Sequence, residues 1–174
     1  MKKIHKFLIF FSLILFNFQN ISAEAPYFLD FKFILNESTA GKKAQNFLKK
    51  KLENGIKNIQ NKEKKLLEEE KKVIQQKKVI SPEEYKKKVS ELRDKVSSLR
   101  KERNTLLESV SKQRAKARNE LIKNLNPILK KYMEEKKIRM VVDKKYLLLA
   151  DENLNITKDI ISLLNTKLKS INLE

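Results

Sequence analysis

The stretch from Glu83 to Asn126 contains neither glycine nor proline, and it constrains the fold more than any other feature of the chain. Glycine and proline are the residues that most strongly disfavour the interior of an α-helix. A continuous helix rises 1.5 Å per residue, so about 45 residues would form a rod of roughly 65 Å. Because helices in globular domains average about 11–12 residues, we expect this helix to project from a smaller body.

Apolar residues recur at helical spacing on both sides of an interruption at VISPEEYKKK, residues 79–88. After the interruption they follow alternating steps of four and three, with one polar member, Arg103: Tyr85, Val89, Leu92, Val96, Leu99, Arg103, Leu106 and Val110. Before it they recur every seven residues: Leu52, Ile59, Leu66, Val73 and Ile80. This first stripe is thin because its companion positions become polar, so it is too weak for a stable coiled-coil dimer alone.

The interruption has the pattern of a helix end followed by a helix start. Ser81 suits the N-cap, Pro82 suits the first helical position, and Glu84 completes an S-x-x-E capping box. The residue before a proline disfavours helical backbone, so the first helix should end near Val79 or Ile80. We expect an antiparallel coiled-coil hairpin over residues 42–137 with its tip at 79–84. A single kinked rod is the alternative, which the capping box disfavours because a continuing helix has no free N–H groups to cap.

The flanking segments favour strands and a short helix. PYFLDFKFIL, residues 26–35, is dense in aromatic residues and predicts a strand. The second long helix should pass Pro127 and end near Lys136 or Lys137. IRMVV at 138–142 and YLLLA at 146–150 predict two strands joined as a hairpin. Thr157 is expected to cap a last amphipathic helix, whose apolar face holds Ile160, Ile161, Leu164, Leu168 and Ile171.

The predicted fold class is therefore α+β. A small β body, built from residues 24–41 and 138–174, carries the long helical hairpin arm. About 50 residues make a marginal core, and so small a sheet leaves strand edges unpaired. Both problems are relieved if several copies pair their bodies. We expect an oligomer held together by the strand region, with its arms projecting outward.

The first 23 residues have the three parts of a secretory signal peptide: basic MKKIHK, apolar FLIFFSLILFNF and small, polar QNISA. We expect cleavage after about Ala23 and export across the inner membrane. An uncleaved membrane anchor is the alternative, although the apolar run is short for a span of about 20 residues.

Composition removes most enzymatic chemistry. The chain has no Cys, and its one His, His5, lies in the predicted signal. A thiol nucleophile, a serine–histidine pair and a zinc site of the usual kind are therefore excluded from the mature chain. The sequence gives no support for an enzyme, and none for catalytic, cofactor-binding or metal-binding residues.

The positive charge is concentrated in the predicted arm. The whole chain has a formal net charge of +18. Residues 42–137 hold 30 Lys and Arg against 14 Asp and Glu, a net charge of +16, whereas the rest of the mature chain is nearly neutral. A basic surface attracts acidic proteins, nucleic acid and anionic membranes. Lysine-rich coding bias explains part of the total, but it does not explain the neutral flanks.

Several segments resemble the Skp/OmpH family of periplasmic chaperones: FLDFKFILNESTAGKKAQ at 28–45, ISPEEYKKKVSEL at 80–92, and the block at 125–165. The most specific parts are LNES-x-x-G, from Leu35 to Gly41, and residues 126–155. The resemblance implies a homotrimer in which strands of three subunits form a small barrel and three helical hairpins enclose a cavity. It also implies an ATP-independent holdase for unfolded outer-membrane β-barrel proteins and, for some members, lipopolysaccharide binding.

The arm residues expected to face a client protein are apolar residues outside the two stripes, together with Tyr85 and the basic residues near the tip. They are Phe47, Leu67, Ile74, Lys77, Lys78, Tyr85, Lys86, Lys87, Lys88 and Leu107. Each set has a simpler explanation. The apolar residues would thicken the seam between the helices, and the lysines would form a solvated helix face with nearby glutamates. Arg103 is expected to reach a facing acid or to extend into water.

Two other classes of function stay open. The protein could be a basic coiled-coil scaffold of the envelope, or it could bind a polyanion such as lipopolysaccharide, an anionic membrane surface or nucleic acid. Specific nucleic-acid binding is disfavoured by the export signal, the scarcity of arginine and the few aromatic side chains on the arm. A scaffold should carry an apolar or structured tip for a partner, whereas a holdase needs only a capped turn.

Overall fold

The computed structural model describes residues 25–173, so the predicted signal peptide at 1–23 lies outside the described residues. The elements are strand β1 (Tyr27–Leu29), helices α1 (Phe31–Glu37), α2 (Thr39–Gln76) and α3 (Pro82–Lys136), strand β2 (Val141–Asp143), short 3₁₀ turns at Lys144–Tyr146 and Glu152–Leu154, and helix α4 (Thr157–Lys167). The two long helices are confirmed, and the sheet consists of β1 and β2 paired in parallel.

The strand predicted for residues 26–35 is wrong beyond Leu29, because helix α1 begins at Phe31. Asp30 caps this helix: its carboxylate accepts a hydrogen bond from the Phe33 N–H at 2.8 Å. The Asp30 N–H donates to the Thr157 hydroxyl oxygen at 2.9 Å, which ties the bend to α4. The helix then buries Ile34 completely. A side-chain cap and one long-range contact thus outweigh the strand preference of the aromatic residues.

The segment LNES-x-x-G forms the junction between α1 and α2. Ser38 is fully buried and is the N-cap of α2, where its hydroxyl oxygen accepts from the Gly41 N–H at 3.2 Å. Gly41 lies against the backbone carbonyl of Leu35, which leaves no room for a Cβ. The cap and the glycine together fix where the long helix α2 leaves the body.

The capped restart at Ser81 is confirmed. Its hydroxyl oxygen accepts from the Glu84 N–H at 3.1 Å, and Glu83 and Glu84 occupy the first turn of α3. Negative charge is favoured at that end of a helix. Helix α2 ends at Gln76, slightly earlier than predicted, so residues 77–81 connect the two long helices.

Helix α3 continues through Pro127 and ends at Lys136, as predicted. The next residue, Lys137, has a φ of 57° and is the one non-glycine residue with a positive φ among those described. Its N–H bonds back to the last turn of the helix. A left-handed residue at this position is a common way to end a helix, and glycine usually occupies it.

The β-hairpin predicted for residues 138–150 is wrong. Only Val141–Asp143 forms a strand, and it pairs with β1 rather than with residues 146–150. The Asp143 carboxylate accepts from the Lys145 N–H at 3.3 Å and turns the chain into a 3₁₀ turn. Tight hairpin turns need residues that favour positive φ, and Asp143-Lys144-Lys145 contains no glycine. The chain therefore moves away from β2.

Helix α4 differs from the prediction at both ends. Its N-cap is Ile156, so Thr157 is the first helical residue and not the cap. The Thr157 hydroxyl instead donates to Asn155 Oδ1 at 2.6 Å. The helix ends at Lys167, and Leu168 and Ile171 pack against the core from the chain that follows it.

The core of the body is built from distant parts of the sequence. Ile34, Ile160 and Leu164 are completely buried and cluster with Leu121 and Leu125 of α3. The last turns of α3 therefore pack in the body, while its N-terminal half extends away with α2.

Candidate functional site

Three of the polar contacts between α2 and α3 recur every seven residues, and their order reverses between the two helices. They are Lys62 with Glu102 (2.7 Å), Glu69 with Lys95 (2.5 Å) and Gln76 with Lys88 (2.8 Å). Seven residues forward along α2 correspond to seven residues backward along α3. We call these pairs the polar ladder. Its members on α2 are the polar positions that make the first apolar stripe thin.

The part of the arm nearer to the body is tightly packed. Ile59 of α2 and Leu99 and Val110 of α3 are buried. Gly55 approaches Leu106 so closely that a Cβ at position 55 would lie 2.4 Å from its Cδ2 atom. Glycine at this position therefore leaves the space that the Leu106 side chain occupies between the two helices.

The two helices pack less tightly toward the tip: no residue from 60 to 98 is buried. A groove with a volume of about 980 Å³ runs between the two helices there. We call it the distal groove. Its apolar lining includes Leu66, Leu67, Val73, Ile74, Tyr85, Val89 and Leu92. In this region the polar ladder links the helices, and the apolar residues between them are only partly buried.

The structure brings three of the predicted client-facing residues together. Leu67, Ile74 and Tyr85 all line the distal groove, and Leu67 and Ile74 are each 57% exposed. Phe47 lies elsewhere, beside the C-terminal residues 171–173. Leu107 is exposed on α3 outside the groove. Phe47, Leu67, Ile74 and Leu107 are all exposed, whereas Tyr85 is partly buried.

The tip lysines surround the connection between the long helices. The Lys77 ammonium lies 5.9 Å from the ring centroid of Tyr85. Lys88 donates to Gln76 and lies 3.5 Å from a carboxylate oxygen of Glu84. Lys78, Lys86 and Lys87 are exposed. Their position at the mouth of a cavity stays a prediction.

Three of the six arginines line the distal groove: Arg93, Arg100 and Arg103. Arg103 lies 4.0 Å from the Glu63 carboxylate across the helices, which confirms that it reaches a facing acid. Arg93 and Arg100 are exposed, and neither has an ion-pair partner within the described part of the chain. Neither this grouping nor the polar ladder was predicted from the sequence. The available signal was the seven-residue spacing of charged positions on both helices.

The pKa values of Tyr132, at the base of the arm, and of Glu108, on the arm surface, are shifted from their ordinary values. Burial raises the pKa of Tyr132 to about 12, and the hydrogen bond that its hydroxyl donates to Asp159 at 2.5 Å acts in the same direction. This bond joins α3 to α4. On the arm surface, the hydrogen bond from Lys112 and its positive charge lower the pKa of Glu108.

A second exposed apolar surface lies on the body, next to β2. It consists of Met140, Tyr146, Leu148 and Leu149, and we call it the body patch. Leu148 and Leu149 are 106% and 93% exposed. Strand β2 pairs with β1 along one edge only. Large apolar side chains beside an unpaired strand edge are typical of a surface that a partner covers.

Neither a membrane span nor a metal site is found in residues 25–173. No helix there combines the length and apolar character that crossing a bilayer requires. No group of His, Cys, Asp and Glu side chains there could hold a metal ion.

Two long, paired and strongly basic helices extend from a small body of strands and short helices, and apolar side chains stay exposed along them. These features define a class of elongated binding proteins. The chain belongs to the OmpH family, described as outer membrane protein (OmpH-like), whose model matches residues 27–164. The resemblance to the Skp/OmpH family is thereby confirmed.

A solved structure has the same fold. The 2.83 Å crystal structure of a candidate outer membrane chaperone (OmpH-like) from Caulobacter crescentus CB15 matches with a TM-score of 0.78 and 18% identity. The match covers 90% of this chain and 94% of that chain. No curated protein matches significantly.

Proposed function

We propose that the protein is an ATP-independent periplasmic holdase that encloses unfolded outer-membrane β-barrel proteins between helical arms. Membership of the OmpH-like family supports this function, as does the chaperone description of the Caulobacter crescentus protein. The proposal assigns the protein a binding role without catalysis.

The observation that carries the proposal is the arm. Phe47, Leu67, Ile74 and Leu107 are exposed on two helices that also hold most of the positive charge. Unfolded outer-membrane barrels expose alternating apolar strands, which aggregate when they meet. Scattered apolar contacts combined with long-range attraction would hold such a chain without imposing one conformation on it.

The proposed assembly is a homotrimer in which each chain contributes one antiparallel helical hairpin as an arm. The reversed order of the polar ladder supports the hairpin, and the body patch beside β2 supports pairing between bodies. Strands from three copies would close a small barrel and cover Leu148 and Leu149. Three arms on one body would then surround a space for the client.

Two measurements test the proposal together. Light scattering should give three times the mass of the mature chain, and the protein should suppress aggregation of an unfolded outer-membrane β-barrel protein without nucleotide. A monomer that leaves aggregation unchanged would rule the proposal out.

The charge of the arm favours a second candidate, binding of a polyanion such as lipopolysaccharide. Residues 42–137 carry the net charge of +16 on largely exposed side chains. Binding driven by charge alone should weaken steadily as rising salt shortens the Debye length below about 10 Å. Capture of a client through apolar contacts should persist under the same conditions.

A further inference from the structure

The distal groove differs from the rest of the arm because its apolar walls are open. Leu66 and Val73 line it from α2, and Val89 and Leu92 line it from α3, yet all four are only partly buried. The polar ladder links the two helices over the same stretch. A volume of about 980 Å³ is enough to take several side chains of a ligand.

The charged lining of the groove consists of Arg93, Arg100 and Arg103 with Glu63 and Glu70. Because Arg103 faces Glu63, two arginines and one glutamate remain, so the groove keeps a net positive charge. Arg93 and Arg100 are seven residues apart on α3, which places them two helical turns or about 10 Å from each other. Both are exposed, and no carboxylate of the described residues pairs with them. A guanidinium group binds a carboxylate through two parallel hydrogen bonds. The groove therefore suits a ligand with an apolar centre and acidic side chains near its ends.

We propose that the distal groove binds an extended segment of an unfolded polypeptide, whose apolar side chains enter the groove and whose Asp or Glu side chains pair with Arg93 and Arg100. The inference rests on the proposed holdase function. It adds that each arm binds a client by itself, apart from any space enclosed between arms. An extended segment fits because alternate side chains point to the same side.

The positive charge of the arm disfavours a second arm of this protein as the occupant of the distal groove. Residues 42–137 carry a net charge of +16, so two arms placed groove to groove would repel each other. An acidic segment would be attracted to the same surface.

Site-specific cross-linking tests the location. A photoreactive benzoylphenylalanine is placed at Ile74, in the groove, or at Leu107, exposed on the same arm outside it. The probe is an unfolded outer-membrane β-barrel polypeptide diluted from denaturant. Cross-links at Ile74 support the inference. Cross-links at Leu107 alone overturn it and leave the proposed function standing. Cross-links at neither position overturn the inference, and overturn the proposed function too if aggregation is not suppressed.

A charge-reversal experiment tests the chemistry. Two peptides share one alternating apolar core and carry either Asp or Lys at their ends. Arg100→Glu should weaken binding of the Asp peptide about tenfold, the size expected for losing a charge-assisted contact, and should strengthen binding of the Lys peptide. Lys101→Glu makes the same change of charge one residue along α3, outside the groove, and is the control. If the two variants changed peptide binding equally, long-range attraction between the arm and the peptide would explain the result, and the inference would be overturned.

Discussion

Gly41 lies directly against the carbonyl oxygen of Leu35: a Cβ at position 41 would be 1.9 Å from that oxygen and 2.9 Å from the carbonyl carbon. Both are backbone atoms and cannot rotate away. We expect Gly41→Ala to lower the free energy of unfolding by about 2–3 kcal/mol, although alanine favours helix by about 1 kcal/mol. Urea unfolding of the purified protein measures the change.

Gly55→Ala is the matched control. Its Cβ would meet the end of the Leu106 side chain at 2.4 Å, and that side chain can change rotamer. We expect the free energy of unfolding to change by less than about 1 kcal/mol, because the gain in helix propensity offsets the strain. Equal losses in the two variants would contradict this account of the junction.

The polar ladder should contribute measurable but modest coupling between α2 and α3. The Glu69 carboxylate and the Lys95 ammonium are both about half exposed, and exposed ion pairs contribute about 0.2–1 kcal/mol. A double-mutant cycle with Glu69→Ala and Lys95→Ala should give a coupling energy in that range. The charge swap Glu69→Lys with Lys95→Glu should retain it, whereas either single reversal should not. A coupling of zero would show that the pair does not hold the distal arm together.

Removing the Tyr132 hydroxyl should change how stability depends on alkaline pH. The pKa of Tyr132 is raised from 10.0 to about 12, so the folded state holds this proton more tightly than the unfolded state. Its stabilising contribution is complete below pH 10 and is lost as the pH rises toward 12. Wild type should therefore be more stable than Tyr132→Phe near neutral pH, and the difference should shrink across that window. Lysine titration is common to both proteins and cancels in the comparison. A difference that stays constant with pH would contradict the assignment.

Replacing Lys137 by glycine should stabilise the end of α3. Lys137 has a φ of 57°, where a side chain costs roughly 1–2 kcal/mol relative to glycine. We expect Lys137→Gly to raise the free energy of unfolding by about 1 kcal/mol. Lys136→Gly, one residue earlier and within the helix, should lower it by a similar amount. The two melting temperatures should therefore move in opposite directions, and shifts of the same sign would disprove the role of the left-handed residue.

The body patch should be needed for self-association if the trimer proposal is right. Leu148→Asp combined with Leu149→Asp places two charges where partner bodies would meet. Light scattering should then report the monomer mass, while Leu107→Asp, on the arm, should leave the trimer intact. A trimer that survives the double substitution would place the interface elsewhere.

Sequence reasoning succeeded where the signal was local. The helix restart depends on Ser81, Pro82 and Glu84, which are neighbours, and the length of α3 depends on the absence of breakers. It failed where distant contacts decide the outcome. Asp30 ends strand β1 because its contact with Thr157 and the packing of the core position it. The composition of residues 146–150 favours a strand, but it does not reveal whether another strand is available to pair with them.

The distal groove was hidden for a related reason. The apolar stripe continues through Leu66 and Val73 with the same spacing as before, so the pattern alone does not reveal that burial stops after Ile59. That change depends on how α2 and α3 approach each other. A ligand-binding role for Arg93 and Arg100 can be inferred only once the groove beside them is known.

The polar ladder also limits how the length of the arm can change during evolution. Each of its pairs matches one residue of α2 with one residue of α3, so losing seven residues from one helix alone would leave seven residues of the other without partners near the tip. Losing the same seven residues from both helices would shorten the arm by about 10 Å and keep every remaining pair in place. We therefore expect relatives with longer or shorter arms to differ by matched seven-residue blocks on both helices.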